Sequence, residues 1–253
     1  MTQDAFAEKY IDFSPYQYAV NNPIMFLDVN GDSVNVTSLQ RYDQQNNTNY
    51  LQTIISDLQS QTGMTYSVSS SGQLTYQTDK NGKPVVATTT DNKGNTVQVG
   101  SQEARDLMTD AIGNVTTAYA RITSARSNAP VGGGLINLNE NQINDFILGA
   151  KNVDSRTMGW GMAFIHETSH SIVGGSLSDH LPVGSATGQV VDRLNIVRSQ
   201  LNKQGGNYGQ RIVYQGTSFS KTYKPAYLPF DNGSNSSLQR GFVPAASSKH
   251  IIF

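Results

Sequence analysis

Two histidines and a glutamate in the middle of the chain have the types and the spacing that metal-assisted hydrolysis needs. His166 and His170 are four positions apart, and Glu167 directly follows the first of them. On a helix, residues four apart lie on the same face, one turn above the other. Both imidazoles can then address one cation, as a tetrahedral Zn²⁺ requires. Glu167 is placed beside that point, where a carboxylate can take a proton from water that the metal has activated.

The residues around this motif predict that it lies on a helix with one buried side. Mostly apolar residues recur there at helical spacing. They are Met158, Met162, Ile165, Ser169 and Ile172. We expect this helix to end at Gly174-Gly175, because glycine accepts the left-handed conformation that often ends a helix.

The distribution of histidines favours metal binding over a chance pattern. A five-residue motif can arise by accident, and a helix can carry two solvated histidines. This chain, however, has only 4 His, and three of them, His166, His170 and His180, fall close together. The H-E-x-x-H pattern is similar to that of the zincins, the zinc peptidases that use Glu as the general base.

The motif does not fix the third metal ligand. A catalytic zinc usually takes three protein ligands and leaves one position for water. Val173 and Ser176 stand where metzincins have glycine and a third histidine, which excludes that class. No glutamate follows Glu167, which excludes the thermolysin-like class with its downstream Glu ligand.

Five downstream residues remain as candidates for this third ligand. They are Asp179, His180, Asp192, Asp231 and His250. We favour His180 on the ligand preferences of zinc, with Asp179 as the alternative. An Asp ligand would make the site similar to that of the aspzincins. The pair Asp179-His180 can also be a solvated turn without a metal.

Residues further along the chain are candidates for supporting roles. Zincins stabilise the developing oxyanion with a Tyr, His or Arg, and Tyr214, Tyr223 and Arg211 are available here. The stretch 187–198 resembles a block found in H-E-x-x-H domains of bacterial polymorphic toxins. That resemblance implies that Asp192 orients a metal ligand, and that Arg198 and Arg211 are structural. The alternative for 187–198 is a core helix with a solvated polar face, and for Arg198 we favour that alternative.

The pattern of the whole chain predicts an α+β fold. Residues 40–48 are polar and predict a linker, and residues 51–58 predict an amphipathic helix. Residues 63–99 alternate between polar and apolar and contain Ser-Gly, Asn-Gly and Lys-Gly turns, which predicts successive hairpins. A helix capped by Ser101 follows, with Ala104, Leu107, Met108, Ala111 and Ile112 on its apolar side.

The second half of the chain continues this order up to and beyond the metal motif. We expect a strand over 115–121, a second over 135–139, a loop or short helix over 141–151 and a helix over 185–203. This order resembles the N-terminal half of a zincin domain, in which a helix, a strand and an edge strand precede the H-E-x-x-H helix. That resemblance implies that strand 135–139 is the edge with which an extended substrate pairs.

The N-terminal stretch carries a second resemblance. The run Ser-Pro-Tyr-Gln-Tyr over 14–18, Asn-Asn-Pro-Ile over 21–24 and Asp28 to Gly31 resembles the end of the core of RHS-repeat (YD-repeat) proteins. The resemblance implies a large β-shell that precedes a C-terminal toxin domain, delivered into a competing or host cell and countered by an immunity protein. Val29 stands where many members have proline, which puts self-cleavage at this boundary in doubt.

Composition limits the classes of partner and site. The chain has 253 residues, a formal net charge of -1 and no cysteine. The balanced charge does not favour nucleic acid or an anionic membrane as a partner, and the missing thiols exclude disulfides and thiolate zinc sites. No apolar run is long enough for a membrane span, and the N-terminal residues contain no signal-peptide core.

These observations predict a zinc-dependent endopeptidase with Zn²⁺ as its cofactor, acting as a secreted RHS-linked toxin effector on a protein in the target cell. The expected organisation is 1–33 as the end of the RHS core, 34–100 as linker and hairpins, and 101–253 as a zincin-like domain. The alternative is a non-proteolytic effector that acts by binding, with a structural or vestigial H-E-x-x-H site.

Overall fold

The computed structural model describes residues 34–91, 93–125, 127–180, 186–214, 217–218 and 226–236. The predicted RHS-like stretch lies outside these residues, as do Tyr223 and His250. The helices are α1 (Thr37–Asn46), α2 (Tyr50–Thr62), α3 (Gln102–Ile112), α4 (Glu140–Leu148), α5 (Trp160–His170) and α6 (Gln189–Asn202), with a 3-10 turn over Ser155–Met158. The strands are β1 (Val34–Asn35), β2 (Tyr66–Val68), β3 (Leu74–Tyr76), β4 (Thr88–Thr90), β5 (Thr96–Gln98), β6 (Ala118–Ile122), β7 (Leu135–Leu138), β8 (Thr217–Ser218), β9 (Ala226–Phe230) and β10 (Gly233–Ser236).

A small parallel sheet in the order β1-β6-β7 supports helix α5, which carries the H-E-x-x-H motif. Val34 is in register with Ala118, and Ala120 with Ile136. Alternate residues of a strand point to the same face, and these residues are fully buried. The alanines of β6 leave room on that face, where α1 packs against β6 and α5 against β7.

Helix α2 packs closely along α5 and supplies its N-terminal cap. A Cβ atom on Gly161 would lie 2.4 Å from Cβ of Asp57, so the glycine lets the two helices approach. Gly159 precedes α5 and offers no capping side chain. The carboxylate of Asp57 accepts a hydrogen bond of 2.9 Å from the Gly161 N–H instead, which satisfies one of the free donors at the helix start.

The predicted end of the metal helix at Gly174 is wrong. Helix α5 stops at His170, because Ser171 is extended, with ψ 166, and its hydroxyl donates to the carbonyl of Thr168. The chain then reverses, and the Leu177 N–H donates to the Ser169 carbonyl at 3.0 Å. This reversal brings the segment after the helix back towards the His170 side chain.

Several other sequence predictions are confirmed. Strands β2 and β3 form one antiparallel hairpin, and β4 and β5 form another. Helix α3 begins as expected, with the Ser101 hydroxyl accepting from the Ala104 N–H at 3.1 Å. The region 141–151, predicted as loop or short helix, contains helix α4.

The predicted linker over 40–48 is wrong, because most of it belongs to α1. Leu39 is the one residue of α1 that is buried, so the helix has no repeating apolar pattern for the sequence to reveal. Asn47 ends the helix in the left-handed conformation, which Asn adopts more readily than most residues. Packing against β6 therefore outweighs a polar composition here.

The described residues have a mixed α/β composition, which is compatible with the expected α+β class. One hydrophobic core includes residues from β1 at Val34 to α6 at Leu201. A smaller cluster contains Phe146, Met158, Leu228 and Phe230. Within the described residues, no helix is both long and apolar enough to cross a membrane.

Candidate metal centre

The two histidines of the motif converge from successive turns of α5. Their Nε2 atoms lie 3.2 Å apart, and their ring centroids 5.0 Å apart. His166 is fully buried and His170 is 5% exposed. The helix therefore presents two imidazole nitrogens to one point, as the four-residue spacing predicts.

Asp179 completes a three-ligand cluster with these histidines. Its Oδ2 atom lies 3.4 Å from Nε2 of His166 and 3.3 Å from Nε2 of His170. A tetrahedral zinc with bonds of about 2.0–2.1 Å places its ligand atoms about 3.3–3.4 Å apart. The three separations are close to the edges of such a tetrahedron, so the spacing of the donor atoms is compatible with a zinc ion.

The hydrogen bond on the far side of His170 selects the tautomer that a metal needs. Nδ1 of His170 lies 2.8 Å from the carbonyl oxygen of Leu177. A carbonyl only accepts, so Nδ1 carries the proton and, in the neutral ring, Nε2 carries the lone pair. When the ring is protonated, Nε2 donates to Oδ2 of Asp179 instead, and a cation bound between the two atoms would take the place of that proton. Metal-bound histidines typically have such a carbonyl partner.

Helix α6 holds the carboxylate of Asp179 in place. The Oδ1 atom accepts from the N–H groups of Val190 at 3.1 Å and Val191 at 3.3 Å, in the first turn of α6. Gly188 precedes the helix, and a Cβ atom there would lie 2.5 Å from Cα of Asp179 and 2.6 Å from its Oδ1. One oxygen thus caps a helix while the other, which is buried, faces the histidines.

The charges of the cluster support one another. Burial alone would raise the pKa of Asp179, but its hydrogen bond with His170 and the charge of His166 hold that pKa below its usual value. Burial alone would lower the pKa of His170, but Asp179 and the charge of Glu167 raise it. The site therefore contains an ionised carboxylate and favours a positive charge between its donor atoms.

Glu167 lies beside the cluster with its carboxyl group out of contact with water. The residue is fully buried, and neither carboxyl oxygen has a hydrogen-bond partner of good geometry among the described residues. Burial raises the pKa of Glu167 to about 8, opposed by His170 and by the nearby Ala129 N–H. A buried carboxyl group without a firm partner is costly, and such groups mark candidate functional sites.

The structure does not place His180 at the metal centre, which corrects our preference for it as the third ligand. Its side chain is exposed, and its backbone N–H donates to the Ser178 hydroxyl at 3.0 Å. Asp179 and His180 are adjacent, but the side chain of Asp179 is buried whereas that of His180 is exposed. Asp179, the alternative ligand, is the residue that the capping bonds to α6 turn inward.

Two other acidic candidates also lie away from the cluster. Asp192 is exposed and accepts from the Thr187 hydroxyl, so the structure does not support its predicted role in orienting a metal ligand. Asp231 is exposed and accepts from the Gln210 N–H at 2.8 Å.

Arg211 and Tyr214 are both buried and contact each other in the segment that follows α6. The Arg211 guanidinium donates to the carbonyls of Val213 and Tyr214, and it lies 5.4 Å from the centre of the Tyr214 ring. Burial lowers the pKa of Arg211 to about 10, opposed by Tyr214 and by the charge of Asp179. The Arg211 guanidinium is thus close enough to Asp179 for their charges to interact. It also holds the backbone of Tyr214, which is a candidate for oxyanion stabilisation.

Arg198 is not on a solvated face of α6, which corrects our preference for that position. It is fully buried, donates to the carbonyl of Thr157 at 3.0 Å and lies over the Phe230 ring. It ties α6 to the 3-10 turn that precedes the metal helix.

Sequence reasoning missed the residues that support the ligands through their backbone. Leu177 contributes a carbonyl, Ala129 an N–H and Gly188 the absence of a side chain. None of these left a signal in the sequence: Gly188 lies inside the helix predicted over 185–203, which begins only at Gln189 in the structure. Comparisons with known protein families, with curated proteins and with solved structures find no match to this chain.

Proposed function

We propose that the protein is a zinc-dependent endopeptidase of the zincin type, with His166, His170 and Asp179 as metal ligands. The observation that supports this most directly is the spacing of their three donor atoms, at 3.2, 3.3 and 3.4 Å. This ligand set is similar to that of the aspzincins. Three protein ligands leave a fourth position for water, as in catalytic rather than structural sites.

The chain's own residues then divide the work of hydrolysis. A zinc ion bound there supplies a water of lowered pKa and polarises the scissile carbonyl. Glu167 takes the proton from the attacking water and returns it to the leaving amine. The positive charge of a bound cation favours the ionised form of Glu167, which burial alone disfavours. Tyr214, held by Arg211, is the proposed source of oxyanion stabilisation.

The biological setting that we propose follows from the RHS-like stretch 10–32. The peptidase is a secreted effector, carried by the RHS shell of its parent polypeptide and released into a target cell. There it cleaves a protein, and an immunity protein protects the producing cell. The balanced net charge of -1 is consistent with a protein rather than a nucleic-acid substrate.

Substitution Glu167→Gln tests the peptidase while keeping the size of the side chain. We expect the variant to bind zinc and to lose cleavage, which mapping of new protein N-termini in expressing cells measures. His180→Ala is the matched control, since its side chain is exposed and away from the cluster. Undiminished cleavage by the Glu167→Gln variant would overturn the proposed chemistry. The same new N-termini in cells that express the variant would do so too.

A non-proteolytic effector with a structural metal site is the second candidate. The complete burial of His166 and Glu167 favours it, because a peptide must reach both. A structural site predicts stoichiometric zinc, a large loss of stability on zinc removal and undiminished toxicity of Glu167→Gln. The peptidase predicts loss of toxicity in the same variant.

A further inference from the structure

The segment 127–134, here called the strap, lies between the outer edge of β7 and the end of helix α5. It begins at Ser127, which is fully buried. The Ser127 N–H donates to the side chain of Gln142 at 2.8 Å, and its hydroxyl accepts from the Asn139 N–H at 2.9 Å. The start of the strap is therefore fixed beside the end of β7.

The strap then pairs with the outer edge of β7. Asn128 and Asn137 form an antiparallel bridge and exchange two backbone hydrogen bonds of 3.0 Å each. Their side chains add a third bond of 2.9 Å. On its other side β7 pairs with β6. The backbone groups of Asn137 are thus used by the strap and are not available to a second extended chain.

The far end of the strap is bonded to the end of the metal helix. The Gly132 N–H donates to the carbonyl of His170 at 2.9 Å, and the Ile172 N–H donates to the carbonyl of Gly133 at 2.9 Å. Between these anchors, Ala129 is buried, and its backbone N–H is near enough to Glu167 to lower the pKa of that carboxyl group. The strap therefore connects the β7 edge, the proposed base and a metal-ligand residue.

We propose that the strap is an intramolecular competitor of the substrate, which keeps the peptidase latent until the strap leaves the edge of β7. This inference depends on the proposed function, because it concerns peptide access to Glu167. An extended peptide that binds by strand addition needs the backbone groups that Asn128 occupies. It also needs its scissile carbonyl beside Glu167, which is fully buried while the strap is paired with β7.

The strap has the features of a segment that opens locally. Pro130 is exposed and Val131 is 55% exposed, so the middle of the strap contributes little to the core. Hydrogen bonds at its two ends hold it, rather than a large apolar contact. Gly132, with φ +70, and the glycines after it allow the backbone to change direction. Such segments open at a smaller free-energy cost than global unfolding.

A reversible crosslink between the strap and β7 tests the inference. The chain has no cysteine, so a new pair forms a single defined disulfide. Directly opposed residues in a hydrogen-bonded antiparallel pair have Cα atoms about 5.5 Å apart, which suits a disulfide. Asn128→Cys with Asn137→Cys closes the strap when oxidised and frees it when reduced by a phosphine. Each single variant serves as a control for the substitution itself.

Two measurements are made on the same zinc-loaded samples. The first is cleavage of unfolded casein, and the second is binding of a tripeptide hydroxamate, which reports peptide access without turnover. We expect the oxidised pair to keep its zinc and to lose both activities at least tenfold, with recovery on reduction. Equal hydroxamate binding by the oxidised and reduced forms would overturn the strap proposal even if casein is cleaved.

A second pair of variants covers the case in which the crosslinked protein does not fold. A Cβ atom at Gly133 would lie 2.9 Å from Cβ of Pro130 within the closed strap, whereas one at Gly134 would only come to 3.4 Å from the Thr117 carbonyl oxygen. Gly133→Ala should therefore destabilise the closed strap and raise hydroxamate affinity and cleavage about fivefold, with Gly134→Ala unchanged. A decrease, or no difference between the two variants, would contradict latency. Absence of zinc from every form would overturn the proposed function and the strap role together.

Discussion

Replacing Asp179 separates the proposed metal site from a simple helix cap. The two oxygens of this carboxylate have different partners: Oδ1 accepts from Val190 and Val191, while Oδ2 faces the two histidines. Asp179→Asn keeps an acceptor oxygen for the cap but removes the negative charge from the cluster. Asp179→Ala removes both. The neighbouring His180→Ala is the control, because that side chain is exposed.

The expected loss of zinc affinity follows from the number of ligands. Structural zinc sites bind with apparent free energies of about 10–16 kcal/mol, which is about 2.5–4 kcal/mol for each of four ligands. At 1.4 kcal/mol for each factor of ten, about 100- to 1,000-fold in affinity is lost with one ligand. We expect Asp179→Asn at the lower end of this range, because an amide oxygen still ligates weakly. His180→Ala should stay within about twofold of the unmodified protein.

Stability of the zinc-free protein distinguishes the two roles of Asp179. Losing the cap in Asp179→Ala should cost about 1 kcal/mol, whereas Asp179→Asn should lose less. The assay is competition with a chromophoric zinc chelator at fixed pH, together with urea unfolding in excess chelator. Unmodified zinc affinity in Asp179→Asn, or a large loss in His180→Ala, would refute our assignment of the third ligand.

Two further predictions concern residues that position the site. Gly188→Ala should weaken zinc binding about tenfold, because the new Cβ atom would displace Asp179, whose Cα would lie only 2.5 Å away; unaltered affinity would show that Asp179 is not held this way. Burial raises the pKa of Asp57, opposed by the Gly161 N–H and by Arg156. Asp57 therefore stabilises the folded state fully at pH values below the ordinary Asp pKa, where it is protonated. This stabilisation is lost as the pH rises through the raised pKa. Asp57→Asn keeps an acceptor for Gly161 and should therefore gain urea stability relative to the unmodified protein as the pH rises above the ordinary Asp pKa; a difference that does not vary with pH would contradict this.

The sequence predicts the parts of the site that depend on local geometry. His166, Glu167 and His170 share one helix, and the spacing of a helix fixes how their side chains relate. Asp179 could not be chosen over His180 in the same way, because the choice depends on where α6 begins in space. The decisive contacts are backbone N–H groups of Val190 and Val191, which the residue types do not reveal.

The errors in the predicted fold have the same origin. Helix α1 is polar and has one buried leucine, so no apolar periodicity in the sequence predicts it. Its packing against β6 stabilises it as a helix. Helix α5 ends before its glycines because the chain must turn back towards His170, which places the Leu177 carbonyl at that ring. Local propensity favoured a longer helix, and tertiary contacts override it.

The occupant of the cluster of His166, His170 and Asp179 is the most direct test of the account. Crystals of the protein grown with one equivalent of Zn²⁺ can be measured on both sides of the zinc absorption edge. We predict one anomalous peak per chain, about 2.0–2.2 Å from Nε2 of both histidines and from an oxygen of Asp179. A peak bound by other residues, or no peak at this cluster in zinc-saturated crystals, would contradict the account.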